Sequence, residues 1–221
     1  KALNTALNDN IHSVTFPVVK KDGSAIHYQA LMGLELDNEV RKGGYFVHWA
    51  RKLDMIPQID FKMIEFILNK IEQESSAHDY AILLSYETMV SEPSLQRISQ
   101  LLTEHSAAAQ HICLEVRESV ASANFELFRH FTLTLKATGC KIGLKRVGDS
   151  FSTLFDLQEL GLDYIKIDSA FVFNVAINAS NQNFLRGLCS LAHSLGIVVI
   201  ADGVTSKEDA DSLYENGFDG I

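Results

Sequence analysis

The run IGLKRVGDSF (142–151) takes an apolar segment straight into two adjacent cations, Lys145 and Arg146, and then into a glycine turn. In mixed α/β proteins the strand ends are where binding and catalytic groups gather. Two fixed cations at such a place can neutralise buried carboxylates or grip phosphate oxygens, and arginine has the fork geometry for the second task. Other strand-like ends supply Gln29, Leu83 with Ser85, Glu115 with Arg117, Lys166 with Asp168, and Asp202. The result is a ring of mixed charge with more cations than a metal centre tolerates. The sequence contains no glycine-rich phosphate loop, no HExxH and no recognisable Ser-His-Asp motif. Its histidines, among them His12, His27, His111 and His193, have no partner at a ligand spacing and receive no role.

The elements that must position these groups alternate in kind. HSVTFPVV (12–19) and AIHYQALMGLEL (25–36) are β-branched and apolar and flank KKDGS, a hairpin signal. A short helix is expected over 44–53 and a longer one over 59–73, where Ile59, Met63, Ile64, Ile67 and Ile71 recur at helical spacing. YAILLS (80–85), HICLEV (111–116), KIGLKR (141–146), YIKID (164–168) and IVVIADG (197–203) then read as strands. Helices are expected around 93–104, 125–138, 151–159, 185–195 and 206–216, with Ser206 as an N-cap and Gly217 as a stop. Asp168 and Ser169 cap the helical piece after YIKID. Short apolar strands alternating with amphipathic helices predict a parallel sheet, and this many units fit a (β/α) barrel better than an open sheet.

Composition bounds the rest. The 221 residues are 47% hydrophobic, enough for a sizeable core, and the net charge of −9 excludes a duplex nucleic-acid binder, which needs a basic face. No run approaches the length of a membrane span, and KALNTALNDN lacks the layout of a signal peptide, so no direct membrane insertion is expected. Cys113, Cys140 and Cys189 lie in apolar surroundings without a CxxC spacing; they are expected as buried reduced thiols, which points to the cytoplasm. With three prolines, no repeats and no linker, one domain over 1–221 is expected, with both ends cut from something longer. The single tryptophan, Trp49, lies on an amphipathic segment as either a core residue or an exposed stacking platform, and the core is the expectation.

Taken in order, these blocks resemble the EAL domain family, the α/β TIM-like barrels that hydrolyse cyclic-di-GMP. YQALMG (28–33) is similar to the name-giving strand and YFVHWARKLDMI (45–56) to the helix after it. LLSYET (83–88), CLEVRES (113–119), IGLKRVGDSFSTL (142–154), DYIKIDSAFV (163–172) and IADGVTSKEDADSLYENGFDG (200–220) match the later blocks. The resemblance covers the whole chain apart from a last strand-and-helix unit. It implies two divalent cations, magnesium or manganese, held by carboxylates and one amide.

At those positions the chain departs from the family. Gln29 replaces the glutamate of the name-giving triplet, Leu83 an asparagine, Lys145 and Arg146 the paired aspartates, Asp202 a glutamate and Thr205 another; Glu115 and Lys166 are unchanged. Gly33 stands where nucleotide-binding members carry an arginine. The resulting expectation is a catalytically degenerate, metal-free EAL-type barrel, not an enzyme, which acts through contacts with other signalling domains or proteins. The alternative is a metal-independent cyclic-di-GMP receptor using Lys145, Arg146 and Lys166; an active phosphodiesterase is the least favoured reading. Lys145 is expected to point inward, and with Arg146 to neutralise Glu115, Asp202 and Asp168, although Glu115 could equally partner Lys166. By resemblance the chain is part of a longer, GGDEF-containing protein, in the cytoplasm or as the cytoplasmic part of a membrane-anchored one. A homodimer through 147–160 is a further expectation of the same kind.

Overall fold

The computed structural model describes residues 2–9, 11–36, 39–74, 78–148 and 160–221. They group into two compact units, Lys1–Pro17 with His27–Leu114 and Thr134–Cys140, and Val18–Ile26 with Glu115–Leu133 and Lys141–Ile221.

The first unit contains α1 (Ala2–Asp9), most of β1 (Ile11–Val19) and β2 (Ala25–Leu36), and β3 (Glu39–Lys42), α2 (Gly43–Lys52) and α3 (Ile56–Glu74). After these come β4 (Tyr80–Leu83), α4 (Tyr86–Met89), α5 (Glu92–Glu104), α6 (Ser106–Ala109) and the start of β5 (Ile112–Arg117). β2 runs parallel to β4, with Tyr28 opposite Tyr80 and Ala30 opposite Ile82. On the same strand β3 folds back antiparallel, pairing Gly33 with Lys42 and Leu36 with Glu39. α3 buries Ile56, Ile59, Met63, Ile64, Ile67 and Ile71, a stripe at three- and four-residue spacing that drives its packing. Asp60 lies within that stripe and is itself buried.

The second unit carries the rest of β5, α7 (Glu118–Ala123), most of α8 (Phe125–Lys136), β6 (Lys141–Val147), β7 (Tyr164–Ile167), α9 (Ser169–Val172), α10 (Ala179–Ser194), β8 (Val198–Ala201) and α11 (Lys207–Glu215). β6, β7 and β8 are parallel neighbours. Every residue of β7 is buried, as a strand covered on both faces must be, so Lys166 is carried into the interior with its apolar neighbours. Ser206 caps α11 by accepting from the Asp209 N–H at 3.1 Å, and Gly217 ends it at φ 100°. Asp168 caps α9 through the Ala170 N–H at 2.9 Å, while Ser169 is the first residue of that helix.

The predicted strands and long helices occur within a few residues of their expected limits, except that α10 begins at Ala179, six residues before the expected start. The helix expected over 151–159 lies outside the described residues, as does most of the expected dimer segment. α1, β3, α7 and the single-turn helices α4 and α6 were not predicted. Each is short and has little periodicity of its own. Among the described residues no helix is long and apolar enough to cross a membrane. All three cysteines are free and buried. Burial, helped by the negative charge of Asp219, pushes the Cys189 thiol up to about 12. Because the thiolate is the reactive form, a thiol-reactive chromogenic reagent near neutral pH should label none of the three in the native chain and all three after denaturation.

Candidate functional site

Glu115 and Lys166 are a buried pair in the second unit. Their side chains are 0% and 2% exposed, and Lys166 Nζ lies 2.6 Å from Glu115 Oε1. The Tyr164 hydroxyl donates to the same oxygen at 2.9 Å. Gly143 leaves room for that tyrosine: it is opposite Tyr164 across β6 and β7, and a Cβ there would collide with the ring. Burial pulls the Lys166 pKa down from its ordinary value; the Glu115 carboxylate opposes this, and the Lys145 charge adds to it.

The opening cations occupy an irregularity in β6. Leu144 pairs with Ile165 and Val147 with Ile167, so Lys145 and Arg146 together face Lys166 alone. This two-against-one count is a β-bulge, and Arg146 takes up the extra residue in the left-handed region at φ 58°. Lys145 turns inward, 17% exposed, with Nζ 3.3 Å from Asp202 Oδ2. Arg146 turns out to solvent at 63% exposure and touches Asp168 only loosely, Nε to Oδ2 4.0 Å. Glu115 is therefore neutralised by Lys166 and Asp202 by Lys145. Of the partners expected for Glu115, Lys166 is the one in direct contact, and the expected pairs of Lys145 with Asp202 and Arg146 with Asp168 are present.

The bulge is fixed from both sides. Asp168 N–H donates to Val147 O at 3.0 Å, and the Gly148 N–H donates to the buried Glu118 carboxylate at 2.9 Å. Sequence reasoning passed over Glu118, which holds the end of β6. It also passed over Asp60, whose Oδ2 accepts from the Ser85 N–H at 2.9 Å and from the Ser85 and Thr88 hydroxyls, securing the turn after β4. Burial raises the Asp60 pKa against the pull of those hydrogen bonds. An acid inside the apolar stripe of α3 was the available signal.

The remaining positions are placed separately. Gln29 is buried on β2 and its amide donates to Ala81 O at 3.1 Å. Leu83 ends β4, half-buried, and Thr205 is exposed in the segment before α11. Among the described residues no group of three or more His, Cys, Asp or Glu side chains is arranged to hold a metal ion. His12, His105, His111 and His193 each lie against an acid instead, as in His111 with Asp79 at 2.9 Å and His193 with Asp219 at 2.8 Å. Trp49 is 59% exposed, so it is not the core residue that was expected.

Breaking the buried pair should be costly and replacing it cheap. Lys166→Met alone should destabilise the chain by about 3–5 kcal/mol by stranding Glu115, whereas Glu115→Leu with Lys166→Met should fall within about 1–2 kcal/mol of the parent in urea unfolding. A lysine depressed in the fold holds its proton longer when unfolded. Its contribution is thus complete above the unfolded value of about 10.4 and is lost as pH falls through the lower folded value. The parent should gain stability relative to the double variant as pH rises from about 7 to about 10. Arg146→Gly should raise stability by roughly 1 kcal/mol through relief of the left-handed residue, read from the urea midpoint at unchanged slope.

The chain matches the EAL domain family over residues 1–221. It is 25% identical over 198 residues to the cyclic di-GMP phosphodiesterase PdeF of Escherichia coli, an alignment that covers 88% of this chain and 26% of that protein. The chain thus spans about a quarter of that relative's length. Vibrio cholerae LapD, solved as S helix-GGDEF-EAL bound to c-di-GMP, superposes with a TM-score of 0.89 at 21% identity, over 99% of this chain and 54% of that one. The Xanthomonas citri FimX EAL domain in complex with c-diGMP gives 0.89 at 20% identity, over 100% and 88%. The fold is the TIM-like α/β barrel of these structures, and the chain belongs to the EAL domain family.

Proposed function

We propose that this EAL domain is a regulatory module of a bacterial cyclic-di-GMP signalling protein, working through protein contacts and not by two-metal hydrolysis. The observation that carries the reading is the pairing of its strand-end carboxylates with lysines, Glu115 with Lys166 and Asp202 with Lys145. The donor set does not fit a pair of divalent cations. Leu83 offers no ligand, and the Gln29 amide, a neutral and weaker donor than a carboxylate, is hydrogen-bonded to Ala81. Lys145 and Arg146 bring positive charge where the family's aspartates bring negative. One such charge about 4 Å from a divalent ion opposes it by several kcal/mol even at an effective dielectric of about 20. These residues therefore support no hydrolytic step through a metal pair.

Relatives such as PdeF are phosphodiesterases by name, so the decisive test is turnover. Purified chain incubated with cyclic-di-GMP and magnesium or manganese should form no linear product above the buffer control. Metal-dependent product that disappears with chelator would overturn the proposal.

A second reading, a metal-independent receptor for cyclic-di-GMP, draws on the outward turn of Arg146, whose loose contact with Asp168 leaves its guanidinium open to a phosphate. LapD and FimX were solved with that nucleotide bound. Lys166 is engaged by Glu115 and would contribute only by leaving it. Calorimetric heat that persists in chelator and is lost in Arg146→Ala would favour the receptor.

A further inference from the structure

Helices α3 and α5 of the first unit border a cavity of about 550 Å³, within the range of small-molecule sites. Its floor is apolar, from buried Phe61 on α3 and half-buried Leu101 on α5. Arg97 stands over that floor, its guanidinium carbon 4.8 Å from the centre of the Phe61 ring. Stacking of this kind fixes the plane of a guanidinium and leaves its N–H donors available to a ligand in that plane. Three acids, Asp54, Glu65 and Glu104, line the same cavity, yet the Arg97 guanidinium forms no hydrogen bond or ion pair with any described residue. Glu65 is taken by Lys62 at 2.7 Å, whereas Glu104 accepts from the neutral Gln100 amide at 2.8 Å and keeps its charge uncompensated. Asp54 occupies a position where glycine is the ordinary choice: it follows Leu53, the C-cap of α2, in the left-handed region at φ 53° and beside the negative end of that helix. The cations next to it in sequence are engaged elsewhere, Arg51 with Glu87 and Lys52 against the Trp49 ring. Local folding physics disfavours a carboxylate there, which directs its explanation to the cavity it lines.

We infer that this cavity binds a basic α-amino acid, arginine or lysine. With Lys62 and Glu65 cancelling, its uncompensated groups are one cation, Arg97, and two anions, Asp54 and Glu104, which call for a ligand of one anion and two cations. An α-amino acid with a cationic side chain is a small molecule of that description. Its carboxylate meets the Arg97 fork, its two cations meet Asp54 and Glu104, and its aliphatic stem lies on Phe61 and Leu101. The stem has to be long, because Glu104 follows Arg97 by two turns of α5, about 10 Å of helical rise. A simple anion is repelled by the two acids, and an apolar amino acid leaves one of them without a partner. The inference rests on none of the strand-end residues and holds whatever function they serve.

Calorimetric titration of the 221-residue chain at low salt with L-arginine and with L-lysine should give a dissociation constant of about 1 mM or tighter. L-norleucine, which keeps the stem and lacks the terminal charge, should bind at least about tenfold more weakly, and L-glutamate should give no heat. Arg97→Met keeps an apolar cover on Phe61 while removing the fork, and should weaken arginine binding at least about tenfold. Asp54→Gly suits the left-handed φ, so it should keep or raise the melting temperature and still weaken binding by a similar factor, which separates loss of the site from loss of the fold. The inference is overturned by no heat with either basic amino acid at about 10 mM, by norleucine or glutamate binding as tightly as arginine, or by unchanged affinity in either variant.

Discussion

A lysine and a glutamate removed from water, 2.6 Å apart, are the constraint around which the second unit is arranged. Neither charge would be tolerated there alone, because the desolvation cost of each is several kcal/mol and only the partner and well-placed hydrogen bonds offset it. β7 must therefore bring Lys166 to the same depth to which β5 brings Glu115. Tyr164, two residues before Lys166, donates to the same carboxylate oxygen. Gly143 on the neighbouring strand has to lack a side chain for that ring to fit. Four residue choices on three strands thus answer to a single ion pair.

The bulge at Lys145 and Arg146 follows from the same crowding. A regular strand would place the pair on opposite faces without changing the register of anything beyond it. With two residues set against Lys166, Lys145 keeps an inward direction and reaches Asp202, a second carboxylate. Arg146 takes the positive φ that allows this and goes to solvent. A non-glycine residue in that region is strained, and such strain persists only where its surroundings hold it. Here the hydrogen bonds from Asp168 N–H to Val147 and from Gly148 N–H to Glu118 do so.

The same particulars show what the amino-acid order reveals. Strand and helix alternation, the hairpin at KKDGS, the caps at Asp168 and Ser206 and the buried thiols are local or periodic properties, and each was legible. The bulge was not, because the sequence advertises its glycine at 148 while the left-handed residue of the strand is Arg146. Partner choice was only half legible: two lysines and an arginine facing three acids admit several pairings, and distance decides among them. Trp49 misled because a lone aromatic on an amphipathic segment is ordinarily inward. α2 reverses this, turning Phe46 and Ala50 in and the tryptophan out.

The proposed exchange of the family's acids for cations would have an electrostatic consequence beyond the loss of ligands. Lys145 with Asp202 and Lys166 with Glu115 are net-neutral pairs, so these strand ends need no external cation to be stable. A site that requires metal ions has carboxylates that repel one another until the ions arrive, and its geometry answers to metal supply. A site closed by lysines keeps one geometry irrespective of it. Under the proposed regulatory role, such a site would present a fixed surface, and a response to a signal would come from groups outside the closed pairs, of which the outward-turned Arg146 is one.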